Sequence, residues 1–217
     1  MEQRISAIEV QEKRQNRRSI FINGKFALGV DETVIADLGL HVGQYITEEE
    51  LNKVVHKELV NKAKQRAYKL LEYRVRSKAE IARRLKTAGF EEDVIEETLT
   101  RLEELNFVDD AQFSQSWVNH RMTGKPMGKT RIKWELRQKG VPTDIAEEAL
   151  STIEPEAEYE SAMDAARRRW EKDKDPDEWA KRRRLASYLR RQGFGWEIIS
   201  KVTNGLSADS EPEMDSE

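Results

Sequence analysis

The sequence predicts a mainly α protein, with tandem three-helix repeats in an elongated, curved array and a small α+β region in front of them that carries a β-hairpin. Three observations predict it. The stretches "SKAEIARRLKTAGFEEDVIEETLTRL", "GKTRIKWELRQKGVPTDIAEEALSTI" and "AKRRRLASYLRRQGFGWEIISKVTNGL" superpose without a gap inside the unit. Their apolar residues recur four apart, the spacing of one helix face. Near the start, Asn23-Gly24 lies between two apolar runs in "SIFINGKFALGV", and Asn-Gly readily takes the positive φ angles of a type I′ turn.

The front region is expected to cover residues 1–60. "RISAIEV" alternates apolar and polar side chains as a half-buried strand does, and Ile20 to Val30 reads as the hairpin. A short helical piece follows at "DETVIADLG". Then "TEEELNKVVHKEL" opens a helix in which Thr47 and Glu50 form a capping box, each side chain satisfying an amide of the first turn.

The repeats are expected at 61–108, 109–154 and 155–206, followed by an acidic tail, 207–217, expected to be disordered. Superposition brings together Ile81, Ile132 and Leu185, then Leu85, Leu136 and Leu189. Next come Gly89, Gly140 and Gly193, each followed by an apolar residue, Phe90, Val141 or Phe194. Beyond that turn Val94, Ile145 and Ile198 coincide, as do Leu102, Ile153 and Leu206. Each unit thus has a middle helix, a glycine suited to a left-handed cap, and a last helix. A further amphipathic stretch precedes each pair: "NKAKQRAYKLLEYRV", "DDAQFSQSWVNHRM" and "EYESAMDAARRRW". In the second of these Phe113, Trp117, Val118 and Met122 recur at helical spacing. Ser77 with Glu80 is a second capping-box candidate, and Asp175-Pro176 reads as a cap followed by a first-turn proline.

Composition narrows the function. Of 217 residues, 37% are hydrophobic and 36% charged, which points to small modules with much wetted helix surface. There is no cysteine, which excludes thiolate metal sites and thiol nucleophiles. No run reaches membrane-spanning length and "MEQRISAIEV" is not a secretory leader, so a cytoplasmic, membrane-free protein is expected. The net charge of −3 conceals an uneven distribution: "SADSEPEMDSE" holds five acidic and no basic residues, leaving about +2 elsewhere in dense basic clusters.

Enzymatic signatures fail on inspection. "TGKPMGKTR" ends in Gly-Lys-Thr, but only three residues separate Gly124 from Gly128 where a phosphate loop needs four, and the preceding segment reads as a helix instead of a strand. His41, His56 and His120 are scattered, without metal-ligand spacing. Glu91-Glu92-Asp93 and Asp109-Asp110 suit helix N-termini. No enzyme, metal or cofactor is expected.

The basic residues recur instead. Lys78, Lys129 and Arg182 share one position at the start of the middle helices, and Lys86, Arg137 and Arg190 share another near their ends. Arg83, Arg84, Arg131, Lys133, Lys139, Arg183, Arg184 and Arg191 lie around them. Trp134 has Arg131 three residues before it and Arg137 three after, which puts all three opposite Ile132 and Leu136. A tryptophan among arginines can stack on a base or fill a pocket in a partner while the cations hold phosphates or carboxylates, so a stripe that binds DNA or an acidic partner is expected.

The runs "RSKAEIARRLKTAGF", "LNFVDDAQFSQSWVNHR" and "GKTRIKWELRQKGV" together resemble the bacterial RecX regulatory proteins, over roughly residues 62 to 206. The resemblance continues into the hairpin-containing front end; the third unit matches more loosely because of the charged insertion "EKDKDPDE". It implies helix-turn-helix-like three-helix units and a non-enzymatic role in recombination, DNA repair and the SOS response. On this resemblance the partners are the RecA filament on DNA, whose ATP hydrolysis and strand exchange are depressed, and single- and double-stranded DNA; a monomer is expected. The residues themselves leave a second reading open, a helix-turn-helix regulator of transcription.

Overall fold

The computed structural model describes residues 3–124 and 126–208. The tail expected to be disordered lies outside them, except residues 207 and 208, which close the last helix. The described residues are 64% helical, and the chain divides into two compact units. One comprises the residues through Arg76 with Glu80–Val108; the other comprises Ser77–Ala79 and the residues from Asp109 onward.

In the first unit, β1 (Gln3–Gln11), β2 (Arg14–Ile22), β3 (Lys25–Asp31) and β4 (Tyr45–Ile46) form an antiparallel sheet of order β3-β2-β1-β4. Asn23 and Gly24 have φ of 49° and 77°, the two positive angles of the expected type I′ turn. A second hairpin, β1 to β2, escaped the sequence reading because Arg14, Gln15, Asn16, Arg17 and Arg18 lack an apolar alternation. One sheet face buries Ile5, Ile20 and Val30 against Val34 of α1 (Glu32–Leu38) and Val54 of α2 (Glu48–Tyr73). The Thr47 and Glu50 box is formed in both directions.

Helix α2 does two jobs. Its 26 residues span roughly 39 Å. The N-terminal half closes the sheet core, while Val60, Ala63 and Ala67 pack with α3 (Lys78–Thr87) and α4 (Glu92–Glu104) around Ile81, Leu85 and Leu102. One continuous helix therefore crosses the expected division at residue 60 and serves as the first helix of the first repeat.

The second unit holds α5 (Asp110–Thr123), α6 (Lys129–Gln138), α7 (Thr143–Ser151), α8 (Pro155–Trp170), α9 (Glu178–Arg191) and α10 (Trp196–Ala208). Two cores form, one around Phe113, Val118, Ile132 and Leu136, the other around Ala162, Ala166, Leu185 and Leu189. The aligned glycines Gly89, Gly140 and Gly193 have φ of 88°, 80° and 88°. After each, the apolar residue's amide reaches back to the buried leucine of the preceding helix: Phe90 to Leu85, Val141 to Leu136, Phe194 to Leu189. This is a Schellman ending made three times.

One cap is corrected. Helix α9 starts at Glu178 and is capped by Asp177, whose carboxylate accepts from the amides of Trp179 and Ala180. Asp175 cannot serve there, because its carboxylate accepts from the Asp177 amide and pairs with Arg184.

Candidate nucleic-acid and filament interface

Helix α6 positions the strongest candidate side chains. Ile132 and Leu136, four residues apart, are fully buried, so Arg131, Trp134 and Arg137 stand outward. Trp134 is 53% exposed, and the Arg131 guanidinium lies over its ring, 5.2 Å from the centroid. That is within the range where a cation is attracted to a ring face.

Other cations on or beside this helix have partners within the fold. Lys129 Nζ donates to the Ile153 carbonyl at 2.8 Å and lies 3.9 Å from the Glu158 carboxylate. Lys133 pairs with Glu147 at 2.6 Å, and the half-buried Lys139 ammonium lies 4.2 Å from the Trp117 ring centroid. Trp117 donates to Glu135, which also pairs with Arg121.

On α9, Arg182 pairs with Glu178, while Arg183, Arg190 and Arg191 are exposed. Arg183 lies over Trp179, 5.1 Å from the centroid, repeating the Arg131 and Trp134 arrangement. Arg184 makes two bonds to Asp173; these raise the guanidinium's pKa and hold the Asp173 carboxyl below its ordinary value. On α3, Arg83, Arg84 and Lys86, in the first unit, are exposed, with Lys86 pairing with Glu92 at 3.1 Å; Lys78, at the start of the helix and in the second unit, is half-buried.

Within the second unit α6 and α9 meet through backbone. The Gly128 amide donates to the Gln192 carbonyl at 3.0 Å, and Gly193 packs against the backbone of Arg131. Arg131 therefore stands beside the turn that follows Arg190 and Arg191. The segment joining α5 to α6 runs between two helices, which is not the strand-to-helix setting a phosphate loop requires.

Sequence reasoning did not single out Arg168, Arg169, Trp179 or Trp196. Trp179 and Trp196 are 68% and 76% exposed. The run "ARRRW" was a usable signal, but the insertion before α9 placed it outside the superposed segments.

Four family models cover most of the chain. They describe the RecX N-terminal domain at residues 3–47 and the first, second and third RecX three-helix domains at 63–102, 109–150 and 156–203. Regulatory protein RecX of Clostridioides difficile (strain 630) is 31% identical over 202 residues, 93% of this chain and 95% of that protein. The chain belongs to the RecX family. Regulatory protein RecX of Bacillus subtilis (strain 168) is 27% identical over 98% of this chain and 81% of its own length. A crystal structure of regulatory protein RecX matches with a TM-score of 0.80 at 26% identity, over 93% of this chain and 99% of that one. RecX from Lactobacillus salivarius shares the fold over 70% of this chain, with a TM-score of 0.65 at 24% identity.

Proposed function

We propose that this RecX-family chain is a non-enzymatic regulator of homologous recombination that binds RecA nucleoprotein filaments and DNA and depresses RecA ATP hydrolysis and strand exchange. The observation that carries this reading, beside family membership, is the outward face of α6, where an exposed indole lies under an arginine. A solvated helix face needs charges but gains nothing from an exposed indole; a binding face uses both. Exposed candidates are Arg83, Arg84 and Lys86 in the first unit and, in the second, Arg131, Trp134 and Arg137 on α6 with Arg183, Arg190 and Arg191 on α9. Lys78, Lys129, Lys133, Lys139 and Arg182 are half-buried. Many modest contacts along a filament add through effective concentration. The chain acts as a cytoplasmic monomer in this account.

The test is RecA ATPase on single-stranded DNA with increasing amounts of the chain and of Arg131→Glu/Arg137→Glu. Both arginines are exposed, so the variant keeps its fold. The wild type lowers the ATPase and the variant restores most of it. Equal inhibition by a folded variant removes this face from the account. No inhibition by wild type, together with strong preference for one duplex sequence, would favour a transcriptional regulator.

A further inference from the structure

One arrangement occurs twice in the second unit. Arg131 lies over Trp134 and also lines a pocket of about 400 Å³ with Arg168, Tyr188 and Gln192. Arg183 lies over Trp179 and also lines a pocket of about 230 Å³ with Arg169, Ser187 and Arg191. The indoles do not line the pockets; in each place one arginine links an exposed indole to a pocket that holds at least one further guanidinium group. Arg168 and Arg169 are neighbours near the end of α8 and turn into different pockets. On α9, Tyr188 and Gln192 line one pocket and Ser187 and Arg191 the other, two rows roughly 100° apart around the helix. A ridge formed by α9 and the end of α8 separates the two pockets.

We propose that these pockets are two nucleotide subsites for one nucleic-acid single strand that crosses the ridge, each holding a phosphate among arginines and stacking a base on its indole. The inference rests on the DNA-binding part of the proposed function and deepens it. Guanidinium forks match phosphate oxygens in pairs. An indole plate requires a partner with a flat face, which a base supplies and an acidic peptide does not. A single strand presents that face; in a duplex it is stacked away. Arg184, also on the wall of the smaller pocket, is held by Asp173 and Asp175 and shapes the site without binding the strand. Two subsites on one chain make the second contact intramolecular, so affinity depends on strand length.

The experiment measures binding of the full chain to labelled oligothymidylates of increasing length, by fluorescence anisotropy at fixed salt. Affinity should rise steeply once the strand spans both pockets and then level off. Trp134→Ala and Trp179→Ala should each weaken the long strand about 5- to 100-fold, with short-strand behaviour left. Blunt duplex binding should change little, and Phe at either position should restore most of the loss. Arg169→Glu is the second probe, and it should weaken the long strand without altering the indoles. The inference is overturned if an abasic strand binds as tightly as oligothymidylate, if poly-glutamate of equal charge displaces the strand equally well, or if both alanine variants bind as wild type does. RecA ATPase on the same variants separates the two readings. Inhibition kept while strand binding is lost supports this inference and leaves the regulatory reading standing; strand binding unchanged overturns it whatever the ATPase does.

Discussion

Gly193→Ala should destabilise the chain more than Gly89→Ala, although both glycines have φ of 88° and end equivalent helices. A left-handed alanine costs about 1–2 kcal/mol. Replacing glycine returns about 0.4–1 kcal/mol by restricting the unfolded chain. A Cβ at Gly89 meets nothing within 4 Å, so that variant should lose about 1 kcal/mol. At Gly193 the added carbon would lie 2.5 Å from Arg131 Cβ and 2.9 Å from its Cα, and closer still to the backbone nitrogen. Helix backbone cannot swing aside as a side-chain end can, so α6 must move away from α9. Overpacking of this kind adds about 1–3 kcal/mol, for a total near 2–4 kcal/mol. Gly128→Ala provides the control: its φ of −76° suits any residue, yet its Cβ would overlap the Gly193 carbonyl, so it should show the clash without the strain. Urea titration of the full chains by far-ultraviolet circular dichroism measures all three. Equal losses for Gly89→Ala and Gly193→Ala, within about 0.5 kcal/mol, would refute the reasoning.

Lys129→Ala should cost about 1–2 kcal/mol by leaving the Ile153 carbonyl and the Glu158 carboxylate short of a partner, whereas Arg131→Ala should stay within about 0.5 kcal/mol. The salt dependence of DNA binding should respond in the opposite way, its logarithmic slope falling by about one for Arg131→Ala and little for Lys129→Ala; a stable Lys129→Ala with a flattened slope would reverse the assignment. Acid should loosen the contact between α2 and α4. Burial pushes the Glu97 carboxyl up, but hydrogen bonds from His56 and Lys57 outweigh it and leave the carboxyl below its ordinary value of 4.5. A depressed folded value means that the contact contributes fully above that ordinary value and is lost as pH falls through the lower one. The gap in urea midpoint between wild type and Glu97→Gln should therefore be widest near neutrality and close below about pH 4, and a gap that widens in acid would contradict this cause.

What could be read in the sequence was whatever local chemistry decides. Asn23-Gly24, the Thr47 and Glu50 box and the three glycine endings each follow from one or two residues, and each formed as read. The outward set Arg131, Trp134 and Arg137 was equally legible, since burial of Ile132 and Leu136 fixes the opposite face. The β1–β2 hairpin was not, because its second strand starts in five charged or amide residues that carry no period. Trp179 and Arg169 were missed for a different reason. Both flank the insertion, outside the superposed segments, and Arg169 meets Arg183 in the smaller pocket only where the insertion folds back through Asp173, Asp175 and Arg184, a tertiary contact that no spacing announces.

The first column of the alignment separates recurrence from role. Lys78, Lys129 and Arg182 align, and repeated charge there suggested a phosphate-binding row. Yet the contacts that recur at this place are made by the backbone. The amides of Lys78 and Lys129 donate to carboxylates on first-turn residues, Asp110 of α5 and Glu158 of α8. One residue earlier, Ser77 Oγ donates to the Lys139 carbonyl and the Gly128 amide to the aligned Gln192 carbonyl. A helix start would otherwise carry unsatisfied amides, and here an acid satisfies one of them, half-buried Asp110 at α3 and buried Glu158 at α6. The Lys129 side chain then turns toward the same acid, because an ammonium beside a carboxylate and a carbonyl lowers the cost of burying the charge. Two and five residues further along α6, Arg131 lies 3.9 Å from Glu135 of its own helix and Trp134 carries no charge, and both stay exposed. At Lys78 and Lys129 the aligned charge thus stands at a joint that the helix starts require, while Arg182 lies a turn inside α9 and pairs with Glu178, so charge recurring in this column is no sign of a shared phosphate row.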